Sequence, residues 1–228
     1  MLATCERRLF FCPVIDGCHS PLIPSPLEEG SELRRSLRAQ RRALFAAERH
    51  EAALTVAYRL AETPDFSKAA VIAGYWACHG ELDPAPLLER AWVEGKAIHL
   101  PVLVGDALQF APYWPGVALR RNRFNIPEPE IPQEEWRLPC EMDWVLTPLV
   151  AFDTTGTRLG MGGGFYDRSF AFLLDPTWLG HRPRLLGLGY EFQRVAALSR
   201  QSWDVPLDAA VTDKNLYRFT NLIGMAEQ

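Results

Sequence analysis

The chain has 228 residues, of which 48% are hydrophobic and 23% are charged, and its formal net charge is −4. This is an ordinary globular composition, with enough apolar residues for a sizeable core. The acidic balance argues against a general affinity for nucleic acid or anionic membranes, and no apolar run reaches the roughly 18 residues of a transmembrane helix.

Residues 1–30 differ in character from the rest of the chain. Two arginines before a short apolar run weakly imitate a signal peptide, but Asp16 and His19 interrupt that run, and four prolines between Pro13 and Pro26 oppose a helix. We predict a disordered extension here, with a signal peptide as the alternative. The five cysteines of the chain have no regular spacing and no C-x-x-C pair, which favours reduced thiols and a cytoplasmic protein.

Helical periodicity dominates the first part of the single domain that we predict over residues 31–228. Apolar residues recur at helical spacing over 31–62 in two segments, and Pro64 ends the pattern. A further helix is expected over 81–95, where Asp83 is a suitable N-cap.

Apolar stretches with strand character alternate with these helices. They cover 69–77, 97–103, 107–114, 143–152 and, as the last strand, 184–190. A polar, proline-rich stretch over 120–135 is expected to be a loop. Strands that alternate with helices indicate an α/β fold with a mainly parallel sheet covered on both faces, and ligands of such sheets bind beyond the carboxyl ends of the strands.

A glycine-rich stretch, "TRLGMGGGFYDRSF" at 157–170, follows the fourth of these predicted strands. Four of the five residues from Gly160 to Gly164 are glycine, so backbone N–H groups there could converge on an anion. Arg158 and Arg168 could neutralise phosphate oxygens, and Asp167 is an oxygen ligand of the kind that Mg²⁺ prefers. The stretch matches neither a P-loop nor G-x-G-x-x-G, so phosphate binding and a flexible turn with a solvated Arg–Asp pair both remain open.

Two other features each have two interpretations. Arg34, Arg38 and Arg41 share one helix face, which is typical of a solvated basic surface or of a cationic clamp on a polyphosphate. Glu81 stands at a strand-to-helix turn shortly after Trp76. Glu81 is either an ordinary charge at the start of a helix, or it accepts hydrogen bonds from a ligand that packs against the indole of Trp76.

The segment "RLGMGGGFYDR", residues 158–168, closely resembles the signature of the 5-formyltetrahydrofolate cyclo-ligase family, also called methenyltetrahydrofolate synthetases. Other blocks resemble the family in the same order along the chain, namely "RRSLRAQRRAL", "GELDPAPLLERAWVEGKAIHLPVL", "FNIPEPE", "DWVLTPLVAFDTTGTRLG" and "WDVPLDAAVT". The resemblance covers roughly residues 31–215 and leaves 1–30 outside it.

This resemblance implies a fold and a reaction. The implied fold is a three-layer α/β/α sandwich, similar to that of ribose-5-phosphate isomerase and the CoA transferases. The implied reaction is the ATP- and Mg²⁺-dependent conversion of 5-formyltetrahydrofolate into 5,10-methenyltetrahydrofolate, with ADP and phosphate released.

The resemblance also implies roles for individual residues. The implied ATP-binding positions are Arg34, Arg35, Ser36, Leu37, Arg38, Arg158, Leu159, Gly160, Met161, Gly162, Gly163, Gly164, Phe165 and Tyr166. The implied folate-binding positions are Trp76, Glu81, Met161, Gly162, Gly163, Gly164 and Phe165. The implied metal ligands are Asp167 and Asp204, and the implied catalytic residues are Arg158, Arg38 and Asp167.

The sequence departs modestly from the family pattern. Arg34 stands where relatives often have lysine, which keeps the charge but changes its geometry. Gly163 stands where some relatives have lysine, so a cation near the transferred phosphate must come from Arg158 or Arg38. Asp204 follows no metal-ligand pattern on its own, and without the resemblance a turn role would be the simpler interpretation.

Other functions are compatible with parts of this pattern. A small-molecule kinase could use the same glycine-rich loop, and a non-catalytic relative could bind nucleotide or folate without turnover. An RNA-binding role for the basic helix conflicts with the negative net charge. We therefore predict a monomeric enzyme whose partners are ATP and 5-formyltetrahydrofolate, with no nucleic-acid and no membrane partner.

Overall fold

The computed structural model describes residues 26–219, and of residues 26–29 only the backbone. The extension predicted for residues 1–30 lies largely outside the described residues, so its disorder stays a prediction. Helix α1 begins at Pro26, however, within the last residues of that segment. No helix in the described part of the chain is long and apolar enough to cross a membrane.

The chain alternates between helices and short strands, as the apolar pattern predicts. The helices are α1 Pro26–Ala43, α2 Ala46–Ala61, α3 Pro64–Lys68, α4 Ala85–Val93 and α5 Phe165–Ser169. The strands are β1 Val71–Ala73, β2 Ala97–Val104, β3 Ala107–Pro112, β4 Leu119–Arg121, β5 Pro127–Pro129, β6 Trp144–Pro148, β7 Ala151–Phe152, β8 Arg158–Leu159, β9 Arg184–Leu188, β10 Ala209–Val211 and β11 Leu216–Arg218. The two helical segments predicted over 31–62 are α1 and α2.

Seven of these strands form the main sheet, in the order β11-β10-β9-β6-β1-β2-β3. The inner strands from β10 to β2 are all parallel, and the edge strands β3 and β11 are antiparallel to their neighbours. The mainly parallel sheet predicted from the sequence is thereby confirmed.

Both faces of this sheet are covered. Successive residues of a strand point to opposite faces, and Trp144 packs into the cluster beneath α2 and α4 while Val145 packs into the opposite one. On that second face, α5 and the 3₁₀ turn after it bring Phe170 and Leu173 against the sheet. The result is the three-layer arrangement that the family resemblance implies.

The strand predicted over 143–152 is interrupted, because its backbone finds partners outside the sheet. After β6, the Leu149 carbonyl accepts hydrogen bonds from the side chains of Arg41 and Gln193. Val150 N–H then donates to the carbonyl of Leu159 at 2.7 Å, which starts the separate β7–β8 hairpin. This hairpin leads directly into the glycine-rich loop.

Two further predictions were wrong in detail. The stretch over 120–135 is not simply a loop, because β4 and β5 pair across a turn in which Asn122 Oδ1 accepts hydrogen bonds from two backbone N–H groups. The strand at 184–190 is not the last one, because β10 and β11 extend the sheet beyond it. Each of those two strands has only three residues, too few for a clear apolar pattern.

Candidate functional site

The glycine-rich loop connects β8 to α5, and its backbone is open to solvent in the middle. Gly162 and Gly164 have φ angles of 98° and 65°, a region that favours glycine over other residues. A Cβ atom at Gly160 or Gly162 would meet no other atom within 4 Å, whereas one at Gly164 would lie 2.6 Å from the Arg168 guanidinium. The centre of the loop can therefore approach a ligand closely.

Helix α1 lies directly beside this loop. Arg34 Nε donates a hydrogen bond to the carbonyl oxygen of Gly160 at 2.8 Å. Leu37, on the same helix face, is buried against Val150 and Ala151 of the adjoining hairpin. The structure thus brings together the two segments that the family resemblance implies for ATP, although Arg35 and Ser36 are exposed.

The Arg–Asp pair, for which a solvated turn was one of the two interpretations left open by the sequence, is largely buried. Arg158 Nη2 donates to Asp167 Oδ1 at 2.7 Å, and its Nη1 donates to the carbonyl of Val205. The Arg158 side chain is only 6% exposed. Burial lowers the pKa of Arg158, and the negative charge of Asp167 opposes that shift. The pair joins β8 and α5 to the segment that precedes β10.

Asp204 lies in that same segment, close enough to Arg158 for its negative charge to raise the pKa of that guanidinium. Its Oδ2 accepts a hydrogen bond from Gln201 N–H at 2.7 Å. Asp167 Oδ1 is likewise occupied by Arg158 and by Val205 N–H. Among the described residues, no three His, Cys, Asp or Glu side chains are grouped as a ready-made metal site.

The side chain of Glu81, which is 10% exposed, lies near the same edge of the sheet. Its Oε2 accepts a hydrogen bond from Cys78 N–H at 3.0 Å, and its Oε1 lies 3.9 Å from Nη1 of Arg41. Burial raises the pKa of Glu81, and its charge acts on the buried Tyr166 hydroxyl of α5. Helix α4 begins only at Ala85, so Glu81 is not a charge in the first turn of a helix but a carboxylate that faces Arg41 of α1.

Trp76 occupies a different position from the other implied folate residues. It lines a cleft of about 320 Å³ between α4 and β2, together with Trp92 and Tyr113. None of the glycine-loop residues lines this cleft. Trp76 therefore lines a cleft to which the loop does not contribute.

Two residues outside the implied set shape the loop. The ring of Phe124, 53% exposed at the tip of the β4–β5 ribbon, packs edge-on against Phe165 with centroids 5.6 Å apart. Arg168, considered above for phosphate, instead donates to the carbonyls of Asp106 and Gly163 at 2.6 and 2.7 Å. Phe124 is the aromatic residue of the motif "FNIPEPE", which resembles the family, but only the fold shows which residue its ring contacts.

Comparison with known proteins identifies the family. The model of the 5-formyltetrahydrofolate cyclo-ligase family matches residues 27–213. The chain belongs to this family. Among curated cyclo-ligases, that of Escherichia coli is 36% identical over 187 residues, which is 80% of this chain and 100% of the relative. That of Haemophilus influenzae is 34% identical over 183 residues, 79% of this chain and 95% of the relative.

Solved structures of this cyclo-ligase family have the same fold. The 5,10-methenyltetrahydrofolate synthetase of Aquifex aeolicus superposes with a TM-score of 0.72 and 32% identity, covering 87% of this chain and 96% of that one. The synthetase of Mycoplasma pneumoniae gives 0.62 and 25% identity, covering 81% and 99%. The family and the fold class inferred from the sequence are thereby confirmed.

Proposed function

We propose that this cyclo-ligase converts 5-formyltetrahydrofolate into 5,10-methenyltetrahydrofolate in a reaction that turns ATP into ADP and phosphate. The observation that carries the proposal is the hydrogen bond from Arg34 to the carbonyl of Gly160, because it joins the basic helix and the open glycine-rich loop into one site. A cationic helix face beside exposed backbone N–H groups suits a polyphosphate.

ATP would lie between α1 and the loop. Its phosphate oxygens would accept hydrogen bonds from loop N–H groups, and Arg34 and Arg38, both partly exposed on α1, would neutralise their charge. Arg158 is held by Asp167 and by the Val205 carbonyl, so it acts as a fixed positive charge behind the loop. The full set implied by the family resemblance, residues 34–38 and 158–166, remains the proposed ATP site.

The chemistry needs positioning and charge neutralisation more than a covalent nucleophile. The formyl oxygen on N5 would attack the γ-phosphorus, and the bond to the β-phosphate oxygen would break to release ADP. N10 would then attack the activated formyl carbon and lose its proton, and the carbon–oxygen bond would break to release phosphate. The product is the cationic methenyl ring. Both the phosphoryl transfer and the ring closure would take place where Arg38 and Arg158 can neutralise phosphate charge.

The residues present suit Mg²⁺, which commonly takes one or two carboxylates and completes its coordination with water and phosphate oxygens. In Asp167 and Asp204, one carboxylate oxygen is occupied, and the other has no hydrogen-bond partner among the described residues. These two side chains would hold the ion beside the triphosphate. Its contribution when bound would be to neutralise the charge on the phosphates.

The folate substrate would lie on the outer side of the loop. The Phe124–Phe165 pair provides an apolar wall for the pterin, and Glu81 provides an acceptor for its N–H groups. Residues Met161–Phe165 would lie alongside the formyl group of the substrate. Trp76 is the implied position with the least support, since the cleft that it lines is not lined by the loop.

The near-ultraviolet absorbance of the methenyl product tests this function. A rise that requires the protein, 5-formyltetrahydrofolate, ATP and Mg²⁺ together is the expected result. ATP consumption with accumulation of a stable phosphorylated product would instead identify a small-molecule kinase. Binding of either ligand without turnover by the folded protein would identify a non-catalytic relative. We also propose a cytoplasmic monomer, which sedimentation of the purified protein and localisation of a tagged copy would test.

A further inference from the structure

Arg41 carries a buried charge that the proposed reaction does not yet use. Its side chain is completely inaccessible to solvent, unlike Arg34 and Arg38 on the same helix. Nη1 donates to the carbonyl of Leu149 at 3.1 Å, but Nε and Nη2 have no hydrogen-bond partner within residues 26–219. A guanidinium stays protonated even when buried, so this site requires a counter-charge to offset the loss of hydration.

The carboxylate of Glu81 is that counter-charge. Its Oε1 lies 3.9 Å from Arg41 Nη1, and its Oε2 is held by Cys78 N–H. The turn that carries Glu81 is pressed onto α1, because Gly80 has a φ angle of 78° and a Cβ atom there would come within 3.1 Å of the Arg41 carbonyl oxygen. The backbone contact and the charge contact therefore fix Glu81 relative to α1.

We propose that Arg41 is a positioning residue, which holds Glu81 as an oriented carboxylate for the N–H groups of the folate substrate. The proposal rests on the proposed function, in which Glu81 contacts folate. A carboxylate accepts hydrogen bonds at both oxygens, whereas a protonated acid would present a donor at one of them. Without Arg41, a glutamate as buried as this one would retain its proton more readily.

The groups around Glu81 support this assignment. Burial raises the pKa of Glu81, and Cys78 N–H, Arg41 and Arg38 oppose that rise. Two tyrosines complete the surroundings, Tyr75 beyond β1 and Tyr166 on α5, and both remain neutral because burial raises the pKa of each hydroxyl. Arg41 is thus the fully buried cation beside Glu81, whereas Arg38 is partly exposed and assigned to ATP.

The test compares two variants. Arg41→Met replaces the guanidinium with an uncharged, unbranched side chain, and Arg41→Lys retains the positive charge. For Arg41→Met we expect the KM for 5-formyltetrahydrofolate to rise about tenfold, with little change for ATP. The acidic limb of its kcat/KM profile should move up by about one pH unit. Arg41→Lys should keep the acidic limb near that of the wild type. The double variant Arg41→Met/Glu81→Gln should be no worse than Glu81→Gln alone, because both changes remove the same contact.

Three results would overturn the proposal. They are an equal rise of the KM values for ATP and folate in Arg41→Met, an acidic limb of the kcat/KM profile that does not move in that variant, and additive effects in the double variant. If Arg41→Met does not fold, Arg41→Lys and Glu81→Gln still decide it, since a limb shifted in Arg41→Lys would also contradict the proposal. A readout independent of activity is the ¹³C NMR titration of the Glu81 carboxyl, assigned with Glu81→Gln, which should show a higher pKa in the variant lacking the charge. Absence of turnover in the wild-type protein would reject the proposed function, whereas an unchanged titration would reject the role of Arg41.

Discussion

Arg34 donates a hydrogen bond from Nε to the carbonyl oxygen of Gly160 at 2.8 Å, across 126 positions of sequence. Together with the packing of Leu37 on Val150 and Ala151, this contact holds the basic helix against the hairpin and the glycine-rich loop. The contact uses the Nε atom of Arg34, and the shape of the loop therefore depends on the helix that carries the neighbouring cations.

Replacing Arg34 with Met should weaken ATP binding, because it removes a cation and releases the loop carbonyl. We expect the KM for ATP to rise about tenfold, which is the usual cost of losing a hydrogen bond to a charged group. The matched control is Arg42→Met, which removes an exposed arginine from the same helix. Steady-state kinetics at saturating folate would measure both variants, and equal KM values for them would contradict the contact's role.

Replacing Asp167 with Asn should reduce turnover by roughly a hundredfold or more, since it removes a proposed Mg²⁺ ligand and a source of electrostatic stabilisation. It should also lower the melting temperature, because the buried Arg158 would lose its ion-pair partner. Activity would be followed by methenyl absorbance over a Mg²⁺ titration. Asp175→Asn, an aspartate in an exposed turn outside the site, is the control. Near-normal turnover of Asp167→Asn at limiting Mg²⁺ would exclude the ligand role.

Replacing Phe124 with Ala should raise the KM for 5-formyltetrahydrofolate several-fold, because the exposed ring extends the apolar wall that Phe165 begins. The KM for ATP should change little. Leu119→Ala removes an exposed apolar side chain from the same ribbon and serves as the control. If both KM values rose together, the ring would be supporting the loop as a whole and not the folate.

His99 should make the stability of the fold depend on pH. It is buried in β2, and its Nδ1 lacks a hydrogen-bond partner among the described residues. Burial and the charge of Arg137 lower its pKa from 6.5 to about 4. As the pH falls below 6.5, His99 binds a proton in the unfolded chain but not in the folded one. Folding therefore becomes less favourable until the pH reaches about 4, where the folded chain is protonated too. This contribution is on the order of 3 kcal/mol.

Denaturant unfolding between pH 7 and pH 4 would measure that effect. His99→Leu should flatten the decline, because the replacement has no proton to take up in either state. His50→Leu, at an exposed histidine on α2, should leave the decline as it is in the wild type. Identical slopes for the wild type and His99→Leu would show that the decline comes from other groups.

Much of this protein was decided by local sequence. The apolar runs of β1, β2, β6 and β9 predicted a parallel sheet, since strands buried on both faces need continuous apolar residues. The run of glycines predicted an open loop, since glycine adopts such backbone angles far more readily than residues with a Cβ do. The motif around that loop, with the blocks in their order along the chain, was sufficient to indicate the family.

The tertiary structure decided which of these residues meet. Arg34, Arg38 and Arg41 have the same helical periodicity, and nothing local distinguishes the buried Arg41 from the partly exposed other two. Its burial depends on the turn at Gly80, which lies 39 positions away in the sequence, and on the Leu149 carbonyl, which lies 108 away. Charge pairing and close packing act through space, so a helix face that looks uniform in sequence can hold two partly exposed cations and one internal ion pair.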